Sequence, residues 1–239
     1  MRLLITRPQE DGESLAALLR AQGHDVVLAP LMAIRSVAGV SLDLTDVRAL
    51  LITSRNGARA LAAATARRDV PVLAVGASSA EAARESGFTE VRSAGGDVEA
   101  LARLVLRSVR PEEGLLLHVA GSAVAGDLAG LLPGYRVRRA VLYEAVPCGR
   151  LPEPARQFLL AGQPGGILLY SPRSAALFAT LAEAEAFTAP FGALTGFCLS
   201  EAVAEAARRL PFGGIAVAPR PEQAALLALI PLEPGRDPS

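Results

Sequence analysis

The sequence predicts an α/β protein in which parallel strands alternate with helices. Short runs rich in Leu, Val and Ile alternate with longer Ala- and Leu-rich stretches of helical period, which is typical of strands joined by crossover helices. The chain has 239 residues, of which 51% are apolar, enough for one large or two compact domains. Basic and acidic residues balance at 24 each, which excludes a disordered or strongly basic protein.

Ten of the apolar runs are predicted as strands. Ten strands are many for one doubly wound sheet in a chain of this length, so we expect two sets of five. In chain order, the predicted strands are Arg2–Thr6, Asp25–Leu28, Ala49–Thr53, Val72–Val75, Glu90–Arg92, Leu115–Val119, Arg136–Ala140, Gly166–Tyr170, Phe197–Leu199 and Ile215–Ala218.

Helix-start signals follow four of these strands. A hydroxyl at the N-cap accepts a hydrogen bond from an unpaired N–H of the first turn. Ser54 is predicted to cap one helix, and Ser171 another in which proline takes the first helical position. Two further turns have the spacing of a capping box. These pairs are Thr6 with Gln9 and Ser78 with Glu81.

The two halves of the chain resemble each other. LLITSRNGARALA at 50–62 resembles LLYSPRSAALFA at 168–179, and VLAVGASSAEAARESGF at 72–88 resembles GFCLSEAVAEAARRLPF at 196–212. A weaker pair is LLITRP at 3–8 with LLLHVAG at 115–121. The common order of the pairs indicates one ancestral unit that was duplicated. Convergence on a shared βα pattern is the alternative.

The residues alone leave the domain division open. A tandem layout would divide the chain near the polar stretch Arg110–Gly114. Alternatively, irregular connectors at Arg35–Asp43 and Pro147–Pro154 would let the chain cross twice, so that one domain is assembled from both chain ends.

The turns after the strands are the predicted ligand-binding loops. In parallel sheets the carboxyl ends of the strands face the ligand, and the following helix offers unpaired N–H groups and its positive dipole end. Every basic residue is arginine, most simply a coding bias, although arginine also holds carboxylates bidentately. We therefore expect an anion-lined cleft, with capped helices and solvated arginines as the alternative. The candidate binding residues are Thr6, Arg7, Ser54, Arg55, Asn56, Gly76, Ser78, Ser79, Ser171, Arg173 and Ser174.

Several common functions lack their signatures. The sequence has no G-x-G-x-x-G after a strand, no P-loop motif and no G-x-S-x-G elbow, which argues against common nucleotide sites and α/β-hydrolase chemistry. The basic residues form no run with interleaved aromatics, so no nucleic-acid partner is expected. Cys148, Cys198, His24 and His118 share no metal-ligand spacing, and no metal is expected.

The apolar runs also indicate no membrane span or leader. The longest runs, such as Ala224–Ile230, are far short of the roughly 20 residues that cross a bilayer. Leu3–Ile5 is too short for the apolar part of a signal peptide. The expected location is therefore cytoplasmic, without a membrane partner.

Tyr143 is a further polar candidate because it lies at the end of a predicted strand in Val-Leu-Tyr-Glu. A phenol is uncharged at neutral pH and can give a proton to a leaving oxygen. The alternative is an amphipathic packing residue.

Six motifs in order resemble the uroporphyrinogen-III synthase family. They are LLITRP, LLITSRNGA, AVGASSAEAA, VLYE, LLYSPRSA and CLSEAVAEAA, and their spacing matches the family over nearly the whole chain. The resemblance implies two doubly wound, flavodoxin-like parallel-sheet domains joined by a two-stranded linker made from the connectors. It favours the crossing layout, with domain one at 1–34 plus 149–239 and domain two at 35–148.

The resemblance also implies a reaction. It is cyclisation of the linear tetrapyrrole hydroxymethylbilane to uroporphyrinogen III, with loss of water, inversion of ring D and no cofactor. We expect the chain to be monomeric, and the residues leave open a transient contact with the preceding enzyme of the pathway. A non-catalytic sensor of a small polyanion is the alternative function.

The resemblance gives roles to particular residues. Tyr143 occupies the family's tyrosine position and is the expected catalytic acid, and Ser79 keeps a hydroxyl where the family has threonine. The chain departs from the family at Ser200–Ala204, where many relatives have Gly-Pro-x-Thr-Ala. Because Val203 replaces the hydroxyl residue, this loop is expected to contact less of the substrate.

Overall fold

The computed structural model describes residues 1–40, 42–122, 127–187 and 189–231. Within them the elements run in this order: β1 Arg2–Ile5, α1 Gln9–Ala21, β2 Asp25–Leu28, β3 Met32–Ser36, β4 Val47–Ile52, α2 Arg55–Ala64, β5 Val72–Ala74, α3 Ala77–Glu85, β6 Val91–Ser93, α4 Val98–Ser108, β7 Leu115–Gly121, β8 Arg136–Pro147, α5 Glu153–Leu160, β9 Gly165–Leu169, α6 Pro172–Ala184, β10 Leu194–Cys198, α7 Glu201–Ala207, β11 Gly214–Val217 and α8 Gln223–Leu227.

The chain forms two compact units, and the first is discontinuous. Unit one is Met1–Ala33 with Val146–Ser239, and unit two is Ile34–Ala145. The chain therefore leaves unit one within β3 and returns to it within β8. The final stretch of the first predicted domain, 232–239, lies outside the described residues.

Unit one is a doubly wound parallel sheet. Its strand order is β11-β10-β9-β1-β2, and every neighbouring pair is parallel. Residues of β1 alternate between two cores, with Leu4 packed beside α5, α6 and α7 and Leu3 packed beside α1 and α8. Because both faces are covered, the strands are continuous apolar runs rather than alternating ones.

Unit two has the sheet order β3-β8-β7-β4-β5-β6, in which β4 to β8 are parallel. Helices α2 and α3 pack on one face and α4 on the other. In space, β6-β5-β4-β7-β8 corresponds strand for strand to β11-β10-β9-β1-β2 of unit one. Each sheet therefore has a switch point, where successive strands turn to opposite sides, between β4 and β7 or between β9 and β1.

The prediction of irregular connectors as the paired linker was wrong in position. The Val37 N–H donates to Leu142 O, and the Cys148 N–H donates to Leu31 O, both at 2.9 Å. The paired segments thus lie mostly before the predicted connectors. Strand β8 also runs to Pro147, beyond the predicted end at Ala140.

Two of the four predicted helix starts are confirmed. Ser54 Oγ accepts from the Gly57 N–H at 2.9 Å and caps α2. Ser171 Oγ accepts from the Ser174 N–H at 3.1 Å and caps α6, in which Pro172 is the first residue.

The two predicted capping boxes are wrong. Helix α1 is capped by Pro8 without a side-chain bond, and Thr6 is buried with its hydroxyl donating to Leu168 O at 3.1 Å. Helix α3 is capped by Gly76, so Ser78 lies inside its first turn. In both turns the cap position lies two residues away from the hydroxyl, because Pro8 and Gly76 occupy it themselves.

Among the described residues, no helix combines the length and apolar character that a membrane crossing requires.

Candidate functional site

The candidate site of unit two lies where β4, β5, β7 and β8 carry polar groups at their carboxyl ends. The switch point between β4 and β7 is the position at which open α/β sheets bind ligands. Helices α2 and α3 begin directly after β4 and β5, so their N-terminal N–H groups face this edge.

Tyr143 and Ser54 meet at this edge. Tyr143 Oη on β8 lies 2.8 Å from Ser54 Oγ, which follows β4. The same Ser54 oxygen accepts the Gly57 N–H and so caps α2. The structure thus brings together a phenol, a hydroxyl and a helix N-terminus at the switch point, and it leaves the phenol half-buried.

Gly121 makes this contact sterically feasible, and sequence reasoning missed it. It ends β7, which lies between β8 and β4, and it pairs with Tyr143 after a register shift at Ala120. A Cβ at Gly121 would lie 2.9 Å from two carbons of the Tyr143 ring. The Ser122 N–H also donates to Tyr143 O at 2.9 Å. A glycine ending a buried strand was the signal in the sequence.

Arg55 extends between the starts of α2 and α3. Its Nη1 donates to Ser78 Oγ at 3.4 Å, and its Nη2 lies 4.0 Å from a carboxylate oxygen of Glu85. Both distances are long, and 24% of the side chain is exposed. Such weak contacts are readily exchanged for a bidentate contact with a ligand carboxylate.

The remaining unit-two candidates differ in exposure. Asn56 and Gly76 are half-buried in the first turn of α2 and at the cap of α3. Ser78 is exposed, whereas Ser79 is buried with 6% of its surface accessible. Ser79 therefore offers little surface to a ligand.

In unit one, the turn after β9 offers a second group of polar residues. Ser171 Oγ donates to Ser174 Oγ at 2.9 Å while accepting the Ser174 N–H. Arg173 is exposed, and within the described parts of the chain it forms no hydrogen bond or ion pair. Its guanidinium thus stands available at the N-terminus of α6.

Arg7 is held by residues of unit one. Its Nη2 lies 3.0 Å from Asp11 Oδ2, its Nη1 donates to Gln223 Oε1 at 2.9 Å, and its guanidinium lies 4.4 Å above the Tyr170 ring. Only 16% of the Arg7 side chain is exposed. Asp11 and Gln223 thus already occupy part of the guanidinium, and the predicted role of Arg7 as a carboxylate anchor stays a prediction. Burial raises the pKa of Tyr170 to about 12, with the nearby Arg7 charge opposing the rise.

The described residues also include titratable groups outside these two turns. Over the described ranges, no three His, Cys, Asp or Glu side chains are grouped as metal ligands. Burial raises the pKa of the Cys198 thiol to about 11, which keeps it protonated at neutral pH. Burial, followed by the Arg139 charge, lowers the pKa of His118 on β7, which keeps this imidazole neutral.

Comparisons with known proteins agree on one family. The family model for uroporphyrinogen-III synthase HemD matches residues 13–228. A uroporphyrinogen-III synthetase structure from Helicobacter pylori has 19% identity and a TM-score of 0.64, covering 96% of this chain and 98% of that one. A mutant uroporphyrinogen III synthase structure from the extreme thermophile Thermus thermophilus has 19% identity and a TM-score of 0.54, covering 96% and 97%.

The curated protein sequences give no match. At 19% identity, the two solved structures show the α/β fold with parallel sheets and no more than the fold. The family model, in contrast, matches far more than half of the chain. The chain belongs to the uroporphyrinogen-III synthase family.

Proposed function

We propose that this chain is an active uroporphyrinogen-III synthase, a cyclising hydro-lyase. It converts hydroxymethylbilane into uroporphyrinogen III with loss of water and inversion of ring D. Within this family, the observation that carries the proposal is the Tyr143 phenol, which lies 2.8 Å from Ser54 Oγ at the sheet switch point.

Tyr143 is the proposed acid for loss of water. The pyrrole nitrogen of ring A pushes electrons toward the hydroxymethyl carbon, the C–O bond breaks, and the phenolic proton joins the leaving hydroxide as water. Ring D then attacks through its substituted carbon and forms a spiro-pyrrolenine, which fragments and closes in the inverted orientation. The proton released when the last ring becomes aromatic again restores the phenol, so the enzyme is unchanged.

Most of the catalysis is proposed to be positional, because the substrate supplies its own electron push. Its eight carboxylates need cationic or N–H partners. In unit two these are Arg55, Asn56, Ser78 and the N-terminus of α3 at Gly76. In unit one they are Arg173, Ser174 and the N-terminus of α6 capped by Ser171. Arg7, Thr6 and Ser79 are weaker candidates because of their burial.

The product isomer tests the proposed function. The purified protein is incubated with freshly generated hydroxymethylbilane, and the products are oxidised to porphyrins and separated. Type III in excess over a protein-free control supports the synthase. Type I alone, which uncatalysed closure also gives, contradicts it. Thermal stabilisation by hydroxymethylbilane with an unchanged isomer ratio identifies the alternative, a non-catalytic polyanion sensor.

We further propose that the two domains arose by duplication, with borders at 1–34, 149–239 and 35–148. The shared strand order of the two sheets and the two compact units support this origin. In unit two, the equivalents of β9 and β10 come before the equivalents of β1 and β2 in the chain. The proposed duplication therefore includes a change in the strand at which the repeat begins.

We also propose that the 24.7 kDa chain works as a cytoplasmic monomer. Its contact with the enzyme that makes hydroxymethylbilane would be transient. Spontaneous closure of this substrate supports the idea, since a substrate that is lost on standing must be used near its source. Light scattering after gel filtration tests the monomer, and cell fractionation tests the location.

A further inference from the structure

Ser54 has more hydrogen-bonding capacity than helix capping uses. A serine hydroxyl has one proton to donate and two acceptor sites. The Gly57 N–H occupies one acceptor site at 2.9 Å, and Tyr143 Oη lies 2.8 Å away on the other side. The cap therefore leaves the hydroxyl proton of Ser54 available to Tyr143.

The direction of the Ser54–Tyr143 bond matters for proton transfer. If Tyr143 donates to Ser54, its proton is engaged and cannot reach a leaving group. If Ser54 donates instead, the phenolic proton can turn toward a substrate, and the oxygen left behind keeps one hydrogen bond. The Gly57 N–H at the positive end of α2 polarises Ser54 in this second direction.

Packing fixes the phenol independently of any substrate. The absent side chain at Gly121 gives room for the ring, and the Ser122 N–H holds the Tyr143 carbonyl at 2.9 Å. With the ring and backbone both held, Ser54 sets the remaining variable, which is the hydrogen bonding at Oη.

We infer that Ser54 is a positioning residue for Tyr143, donating its hydroxyl proton to Oη so that the phenolic proton is free for the leaving hydroxyl. This inference rests on the proposed function. The Tyr143 O–H bond breaks, the proton goes to the departing hydroxide, and the resulting phenolate accepts the Ser54 hydrogen bond. The Ser54 proton stays on Ser54 throughout.

A double-mutant cycle tests this role. We expect Ser54→Ala to lower kcat about tenfold with KM within about twofold, since the interaction matters mainly in the transition state. Tyr143→Phe lowers kcat by at least as much. The double variant is expected to be no slower than Tyr143→Phe, because Ser54 acts only through the phenol.

Three further variants separate positioning from capping. Ser54→Thr keeps the hydroxyl and should restore most of kcat. Ser54→Gly keeps most of the cap free energy but has no hydroxyl, so it should be as slow as Ser54→Ala while remaining folded. Asp97→Ala removes the cap of α4, in which Asp97 Oδ1 accepts the Ala100 N–H at 2.8 Å, and should keep kcat within about twofold.

Two results overturn the inference alone. One is a double variant in which the two losses multiply, and the other is a Ser54→Gly variant with wild-type kcat. Wild-type protein that forms no type III isomer overturns the proposed function together with this inference. If only the inference fails, the wild-type protein still forms the type III isomer, so the two failures can be told apart.

Discussion

The missing side chain at Gly121 decides where the Tyr143 phenol lies. A methyl group at this position would come within 2.9 Å of the ring, and the ring is the group that can move. Gly121→Ala should therefore displace the phenol from Ser54 at little cost to the fold. We expect kcat to fall by on the order of tenfold or more, as expected for misplaced catalytic groups, with a nearly unchanged unfolding curve.

A matched control for Gly121→Ala is available elsewhere in the chain. A Cβ at Gly149 would have no heavy atom within 4 Å, and the residue lies outside both groups of candidate residues. Gly149→Ala should leave kcat unchanged. Equal rates for the two alanine variants would show that the position of the ring does not limit turnover.

Removal of the Tyr143 hydroxyl should slow turnover without unfolding the protein. Tyr143→Phe is expected to lower kcat about tenfold or more through loss of general acid catalysis. Tyr135→Phe is the control, because its phenol donates to Val109 O at 2.7 Å in the same unit and belongs to no candidate site. This control should lower thermal stability and keep kcat. A Tyr143→Phe variant with wild-type kcat would exclude the acid role.

His118 should make stability depend on pH. Because burial lowers the pKa of His118 in the folded state, the unfolded chain binds a proton more readily, with the ordinary histidine pKa of 6.5. This contribution to stability is therefore complete well above pH 6.5 and is lost as pH falls through and below that value. Urea unfolding between about pH 7.5 and 5.5 should show a smaller loss for His118→Gln than for wild type. Parallel pH profiles would contradict this prediction.

At the residue scale, the sequence predicts the site residues better than their contacts. Ser54 was recognisable as a cap and Tyr143 as a polar residue at a strand end. Their contact joins positions 89 residues apart and depends on β8 lying beside β7 with a register shift at Gly121. No local pattern encodes that juxtaposition. Thr6 shows the reverse error, since a cap-like hydroxyl is in fact buried against Leu168.

At the scale of elements, two arginines in equivalent-looking turns have different surroundings. The Arg55 guanidinium, between the starts of α2 and α3, lies 3.4 Å from Ser78 Oγ and 4.0 Å from Glu85, whereas Arg7 before α1 is bonded at 2.9–3.0 Å to Asp11 and Gln223. We expect Arg55→Gln to raise KM severalfold and to weaken its salt dependence, as expected for an exposed charge that binds an anion. Steady-state kinetics at two salt concentrations measures this.

Arg7→Gln should instead act on the fold. It removes the Arg7 ion pair of the largely buried Asp11 carboxylate, which costs about 1–3 kcal/mol of unfolding free energy. Denaturant unfolding measures the loss. Arg107→Gln, at an exposed position in the last turn of α4, should change neither KM nor the free energy of unfolding. It therefore serves as the control for both arginine variants. An Arg7→Gln variant with a raised KM and wild-type stability would instead indicate that Arg7 binds the substrate.

Sequence reasoning missed strand β3 and recognised only the first part of β8, Arg136–Ala140, because both strands lack continuous apolar character. Strand β4, a buried central strand, reads VRALLI and is easily recognised. Strand β3 reads MAIRS and β8 reads RVRRAVLYEAVP, with polar residues throughout. Strand β3 is the edge strand of the sheet and β8 lies next to it. One face of a strand at such a position can meet solvent, so fewer apolar residues are required there. Apolar runs therefore predict the central strands more completely than the strands at this edge.

At the scale of the whole molecule, zero net charge does not conflict with a polycarboxylate substrate. Net charge governs long-range steering and solubility, while binding depends on local N–H groups and arginines. The pattern of apolar runs therefore predicted the fold class, whereas the net charge carries little information about the ligand. The two units also could not be assigned from the residues alone, because whether the chain crosses at the connectors depends on strand neighbours far apart in sequence.

The two crossings of the chain have a consequence for biosynthesis. Unit two is one continuous segment, whereas the central strand β1 of unit one pairs with β9, which is made more than a hundred residues later. On the ribosome, unit two can therefore complete its sheet while β1 and β2 still wait for their neighbours. Pulsed hydrogen exchange on stalled nascent chains should show β4 protected before β1. The residues of β1 are thus synthesised before those of unit two and are folded after them.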